Sequence, residues 1–143
     1  MSPTTKPDTA LRHAKVATRL PAQDLDRARR WYSEKLGLEP AEERPGGIRY
    51  QLADGAFVLF ASTGQPSGDH TQMGIEVEDI EATVAQLRAR GVEFELYDGP
   101  LFTTADGLAN VEGNYPSKGG KGERGAWFHD SEGNLIGIGQ PVS

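Results

Sequence analysis

Two short runs hold the side chains best suited to chemistry. Residues 17–25 read Ala-Thr-Arg-Leu-Pro-Ala-Gln-Asp-Leu and residues 72–80 read Gln-Met-Gly-Ile-Glu-Val-Glu-Asp-Ile, placing Arg19 in the first and Gln72 and Glu76 in the second. If each run is a strand, alternation puts Arg19 on one face with Ala17 and Pro21, and Gln72 and Glu76 on one face with Gly74. The opposite face, Thr18, Leu20 and Ala22 against Met73, Ile75 and Val77, is mostly apolar and suited to packing under helices. A carboxylate such as Glu76 takes a proton next to a carbonyl when its pKa is raised, and a guanidinium such as Arg19 stabilises the resulting oxyanion. The same two groups in direct contact make an ion pair, which lowers the carboxylate pKa and opposes that role. A third use is recognition of an organic ligand, with no chemistry at all.

The elements that position these residues occur twice. Asp24 and Asp79, 55 residues apart, each stand where a carboxylate caps a helix N-terminus. After them Leu25, Ala28, Trp31, Tyr32 and Leu36 keep helical spacing up to Gly37, and Ile80, Val84 and Leu87 keep it up to Gly91, each Gly suited to a left-handed C-terminal cap. A third pair, residues 54–60 against 132–138, is offset by 78 and contains the turn signals Asp54-Gly55 and Glu132-Gly133. The chain therefore reads as an α+β fold of two strand-helix-strand-strand-strand modules, residues 14–62 and 71–143, joined by a Gly-, Pro- and Ser-bearing linker at 63–70 and preceded by a polar arm at 1–13. At 143 residues the modules must share one core.

Composition narrows the function. With 21 acidic and 15 basic side chains the net charge is −6, which opposes a nucleic-acid partner and suits a cytoplasmic protein. The absence of Cys excludes disulfides and thiolate chemistry, and no apolar run approaches membrane-spanning length. Arg27, Arg29 and Arg30 read as a solvated helix face, Trp31 and Tyr32 as core aromatics. The long loop 97–124 is either a flexible connection or a lid, with Leu101, Phe102, Leu108 and Val111 available to fold inward. Its segment 117–124 is not a phosphate loop, because Lys121 is followed by Gly and a strand rather than by Ser or Thr and a helix.

Two motifs carry a family resemblance over nearly the whole chain: Asp-Leu-Asp-Arg-Ala-Arg-Arg-Trp-Tyr-Ser-Glu-Lys-Leu-Gly-Leu at 24–38 and Trp-Phe-His-Asp-Ser-Glu-Gly-Asn-Leu-Ile-Gly-Ile at 127–138. The pattern resembles the glyoxalase, bleomycin-resistance and extradiol-dioxygenase superfamily, the vicinal oxygen chelate fold. That resemblance implies tandem βαβββ modules whose curved mixed sheets enclose a central cavity. In metal-dependent members the cavity holds one divalent ion, whose ligand positions fall here on Ala17, Leu59, Gln72 and Gly137. Three of these four side chains offer no donor atom, and one neutral amide does not hold an ion against water. A displaced site built from His70, Gln72 and Glu76 would draw three ligands from one strand, a poor shell.

The expectation is then a glyoxalase/bleomycin-resistance-like protein binding a small organic ligand in a metal-free cavity, without a cofactor, and forming a homodimer. Arg19, Tyr50, Gln72, Glu76 and His129 are the candidate ligand-binding residues. The alternative is a metal-independent lyase or isomerase acting on a small carbonyl compound, with Glu76 as base and Arg19 as its partner.

Overall fold

The computed structural model describes residues 9–100, 102–112 and 121–142. The first module runs β1 (Thr18–Ala22), α1 (Leu25–Trp31) continued by a π-helical turn (Tyr32–Leu36), β2 (Glu42–Arg44), β3 (Gly47–Gln51) and β4 (Ala56–Ala61). The second runs β5 (Thr71–Glu76), α2 (Ile80–Ala89), β6 (Ala109–Glu112), β7 (Gly122–His129) and β8 (Leu135–Val142). Each module makes a four-stranded mixed sheet of identical topology, β1-β4-β3-β2 and β5-β8-β7-β6, with only the first pair parallel. Neither sheet closes into a barrel. Of the expected arm, residues 1–8 lie outside the described residues, and Ala10–His13 forms one 3-10 turn with no buried side chain.

The repeat extends to the caps. Asp24 and Asp79 have nearly the same backbone angles (φ −139, ψ 99 and φ −138, ψ 95), and each carboxylate accepts from an N–H in its helix's first turn, Arg27 at 3.0 Å and Ala82 at 3.1 Å. Gly37 and Gly91 both take positive φ, +69° and +98°, at the helix ends. The offset of 78 fails in the last hairpin. Gln51 pairs with Ala56 across four intervening residues, but His129 pairs with Leu135 across five. Val58, which pairs with Arg19 as Gly137 pairs with Gly74, is therefore the counterpart of Gly137. Leu59 instead points into the core and is fully buried.

Alternation assigns the faces. Leu20, Ala22, Ile48, Tyr50, Phe57 and Leu59 from the first sheet join Met73, Ala126, Phe128, Ile136 and Ile138 from the second, with Ala28, Tyr32, Ile80 and Val84 of the helical segments, in one core. Trp31 stacks on Phe128 across the modules, ring centroids 6.0 Å apart. The space between the halves is thus filled, and each sheet turns its other face to the outside. A pocket opens on one of these outward faces, that of the second sheet.

A buried polar clip fixes that arrangement. The β7–β8 turn carries Asp130, Glu132 and Asn134, all buried. Glu132 accepts from the Asp24 backbone N–H at 2.9 Å and from both Nε and Nη2 of Arg27 at 2.9 Å, while Ser131 Oγ donates to it at 2.7 Å. Arg27, expected on a solvated face, is thus the partner of a carboxylate whose side chain is wholly buried. Tyr32 donates its hydroxyl proton to Asp130 Oδ2 at 2.6 Å, and Asn134 Nδ2 reaches the Pro21 carbonyl at 3.0 Å. Burial pushes the Glu132 pKa up, but Arg27, Ser131 and the Asp24 amide outweigh it and hold the value at about 2.

A carboxylate with a depressed folded-state pKa stabilises above its unfolded value and loses that contribution as pH falls. For Glu132 the window runs from 4.5 down to about 2. Glu132→Gln is expected to lower unfolding stability by about 2 kcal/mol near neutral pH and to flatten the acid limb across that window. Denaturant unfolding of both proteins from pH 7 to pH 2 checks this; equal stability at neutral pH would refute the clip.

Candidate functional site

The outward face of the second sheet lacks side chains where a usual sheet would carry them. Gly125, Gly137 and Gly139 all fall on it, in register with one another and with Trp127 and Glu123 on β7. Trp127 lies down across this strip. A Cβ on Gly137 would stand 3.1 Å from the indole Nε1, and one on Gly125 would stand 3.0 Å from Cη2. Glu123 covers Gly139 in the same way, so glycine is required for close approach here rather than for a turn.

Over Trp127 residues 97–100 and 102–112 build a wall. Phe102 stacks on the indole at 4.8 Å between centroids with 13° between planes, and Tyr97 meets it edge-on at 5.6 Å. Two reciprocal contacts shape the segment: Tyr97 N–H donates to Thr104 Oγ1 at 2.8 Å, and Thr104 N–H donates to the Tyr97 carbonyl at 2.9 Å. Beyond them Ala105 and Leu108 exchange backbone bonds of 2.7 and 3.1 Å around a tight turn with positive φ at Asp106 and Gly107. Arg88 of α2 ties that turn down through the Asp106 carbonyl at 2.7 Å. Burial, then the nearby Glu95 carboxylate, raises the Tyr97 pKa, so its phenol stays protonated at neutral pH.

The result is a pocket of about 480 Å³. Tyr97, Phe102, Trp127, Val111 and Leu135 give it apolar walls, Thr71 and Gly125 form part of its floor, and Asp69, His70, Glu112 and Glu123 bring polar groups to it. Of the loop expected at 97–124, residues 109–112 are β6 and 122–124 belong to β7. Phe102 and Val111 do fold inward, Leu108 packs against the core, and Leu101 and 113–120 lie outside the described residues.

The five residues singled out from sequence are dispersed. Arg19 is on the outward face of the first sheet, its guanidinium 5.5 Å from the centre of the Phe60 ring. Glu76 is exposed on the outward face of the second sheet and does not line the pocket. Among the described residues the two make no ion pair. Gln72 is the extra residue of a bulge between Thr71 and Met73, so Thr71 takes the pocket-facing position that strict alternation assigns to Gln72. The Gln72 Oε1 is buried with no partner among the described residues.

Tyr50 is a core residue, not a wall: it is 1% exposed, stacked between Tyr32 and Phe57, and burial pushes its pKa up to about 12. His129 shares the pocket's sheet face but serves the linker. Its Nδ1 lies 2.6 Å from Glu95 Oε1 and its Nε2 2.8 Å from the Gly68 carbonyl. Burial lowers its pKa, yet the Gly68 carbonyl and Glu95 together raise it, since only the imidazolium donates to both acceptors. His129 thereby holds the linker beside Asp69 and His70 at the pocket.

The family's metal does not fit this donor set. Ala17, Val58 and Gly137 have no side-chain donor, the indole of Trp127 covers Gly137, and the remaining position offers the Thr71 hydroxyl and the Gln72 amide. Among the described residues no three His, Asp or Glu side chains converge as a metal site.

Because Trp127 rests on bare backbone, Gly137→Val is expected to lift the ring into solvent and close the pocket. In a Trp31→Phe background, where Trp127 is the sole indole, its fluorescence emission should shift to the red. Unchanged emission would mean that the glycine strip does not seat the ring.

Comparison with known proteins places these observations in a family. The model of the Glyoxalase/Bleomycin resistance protein/Dioxygenase superfamily matches residues 11–138. Comparison with curated proteins finds no match. Among solved structures, a bleomycin-binding protein complexed with bleomycin is 19% identical, with a TM-score of 0.61 over 89% of this chain and 98% of that one. TnmS3, an antibiotic binding protein from Streptomyces sp. CB03234, is 23% identical, with a TM-score of 0.56 over 90% and 98%. Lactoylglutathione lyase from Agrobacterium tumefaciens is 18% identical, with a TM-score of 0.58 over 89% and 92%. These identities establish a shared fold and no activity. With the family model spanning nearly the whole chain and the duplicated βαβββ architecture in place, the chain belongs to the Glyoxalase/Bleomycin resistance protein/Dioxygenase superfamily.

Proposed function

We propose that this protein binds a small organic ligand with a planar face, stacked against Trp127 and Phe102, and does so without a metal ion. The observation that carries the reading is the aromatic pocket itself: a cavity of about 480 Å³ walled by Tyr97, Phe102 and Trp127 on a glycine floor. The volume suits one drug-sized molecule. Two proteins that share the fold, one complexed with bleomycin and one an antibiotic binding protein, support a binding role for this architecture. The family's metal-ligand positions hold no adequate donor set, so ligand recognition here rests on stacking, on the Thr71 hydroxyl and on the polar rim.

The expected assay is calorimetric titration with a panel of planar aromatic compounds, including antibiotics. At least one should bind, and Trp127→Ala and Phe102→Ala should each weaken it about tenfold or more, the loss of a stacked pair together with its buried area. Binding that survives both substitutions would place the ligand elsewhere; turnover of a bound carbonyl compound would replace sequestration by catalysis.

The acidic composition and lack of Cys favour a cytoplasmic setting. We also propose that the protein is a homodimer, with a second copy covering the outward face of the first sheet, where Pro21, Val58 and Phe60 are half-buried beside Arg19. Sedimentation velocity is expected to give a dimer that Phe60→Glu dissociates; a monomer at all concentrations would contradict it.

A further inference from the structure

Building on the binding reading above, we propose that the ligand of the aromatic pocket is a cation. Among the described residues the charge that lines the cavity is one-sided. Asp69 and Glu112 line it from opposite elements, the linker and β6, and Glu123 lines it from β7. No Lys or Arg is among the described residues that line it. Arg124, the neighbour of Glu123 in sequence, turns to the helix side of the sheet and pairs there with Glu81 at 3.0 Å. Among the described residues the carboxylates of Asp69 and Glu112 have no ion-pair partner, and these two set the sign of the field in the cavity. His70, the one basic side chain of the lining, faces Ser67 Oγ through Nδ1 at 3.2 Å.

The aromatic walls act in the same direction as the carboxylates. The face of an indole or phenyl ring carries negative electrostatic potential, so a delocalised cation stacked on Trp127 and Phe102 gains both dispersion and cation–π attraction. A neutral compound of the same shape keeps only the stacking. An anion would meet carboxylates without any fixed positive group in the described lining to offset them. Because Asp69 and Glu112 are exposed, their attraction is screened by salt, and the preference must shrink as ionic strength rises.

The test uses one tricyclic ring with three charges at pH 8: aminoacridine as the cation, acridine as the neutral probe and acridine carboxylate as the anion, each titrated calorimetrically into the full chain. Aminoacridine should bind about tenfold more tightly than acridine, with the carboxylate weakest. The pair Asp69→Asn and Glu112→Gln, both at exposed positions, should erase most of that gap by weakening aminoacridine far more than acridine, and added salt should narrow it in the unaltered protein. Equal affinity for the three probes, or preference for the anion, overturns the charge selection and leaves the binding reading intact. If Trp127→Ala has no effect on any of them, or none binds, both readings fall.

Discussion

The structure depends on a carboxylate that has no contact with water. Glu132, with its side chain fully buried, is tolerable only where hydrogen bonds replace its hydration, and the first turn of α1 supplies them through the Asp24 amide and the Arg27 guanidinium. That requirement brings the β7–β8 turn of one module to the helix of the other. Asp130 and Asn134 complete the junction through Tyr32 and the Pro21 carbonyl. Once the junction is set, the helix-side faces of both sheets share one core and the remaining faces turn outward. The pocket lined by Trp127 is built on the outward face of the second sheet.

The second sheet builds that pocket by omission. Three glycines remove the side chains that would hold Trp127 away from the backbone, and the ring lies where a longer residue at position 137 would project. In this chain the indole of Trp127 covers Gly137, the position onto which the resemblance carries one metal ligand of the superfamily. Residues 97–100 and 102–112 add the facing ring, Phe102, on a pair of nested turns anchored by Arg88. The proposed recognition by flat apolar contact rests on these placements, and the proposed charge preference rests on the acidic rim of Asp69 and Glu112.

The duplication was legible because caps and periodicity are local. Asp24 and Asp79 share sequence offset, dihedral angles and bond pattern. The family motifs were equally plain. What alternation alone did not reveal were insertions of one residue. The bulge at Gln72 moves Thr71 to the pocket, and the longer β7–β8 turn moves the counterpart of Gly137 from Leu59 to Val58. Tyr50 failed as a wall residue because its face depends on register, and the ion pair of the exposed Arg27 was not visible because its partner lies 105 residues away. The signal for Trp127 was present in Gly125, Gly137 and Gly139, whose alternation marks one bare sheet face; read singly, each glycine suggests only a loose strand.

The most direct test uses the side-chain indole resonances of the chain's two tryptophans, followed by NMR during titration with acridine. Trp127 lies at the pocket, and Trp31 packs against Phe128 in the helix layer. A large ring-current shift of the Trp127 indole N–H is expected, with the Trp31 resonance almost still. Saturating binding that moves Trp31 and leaves Trp127 in place would contradict it.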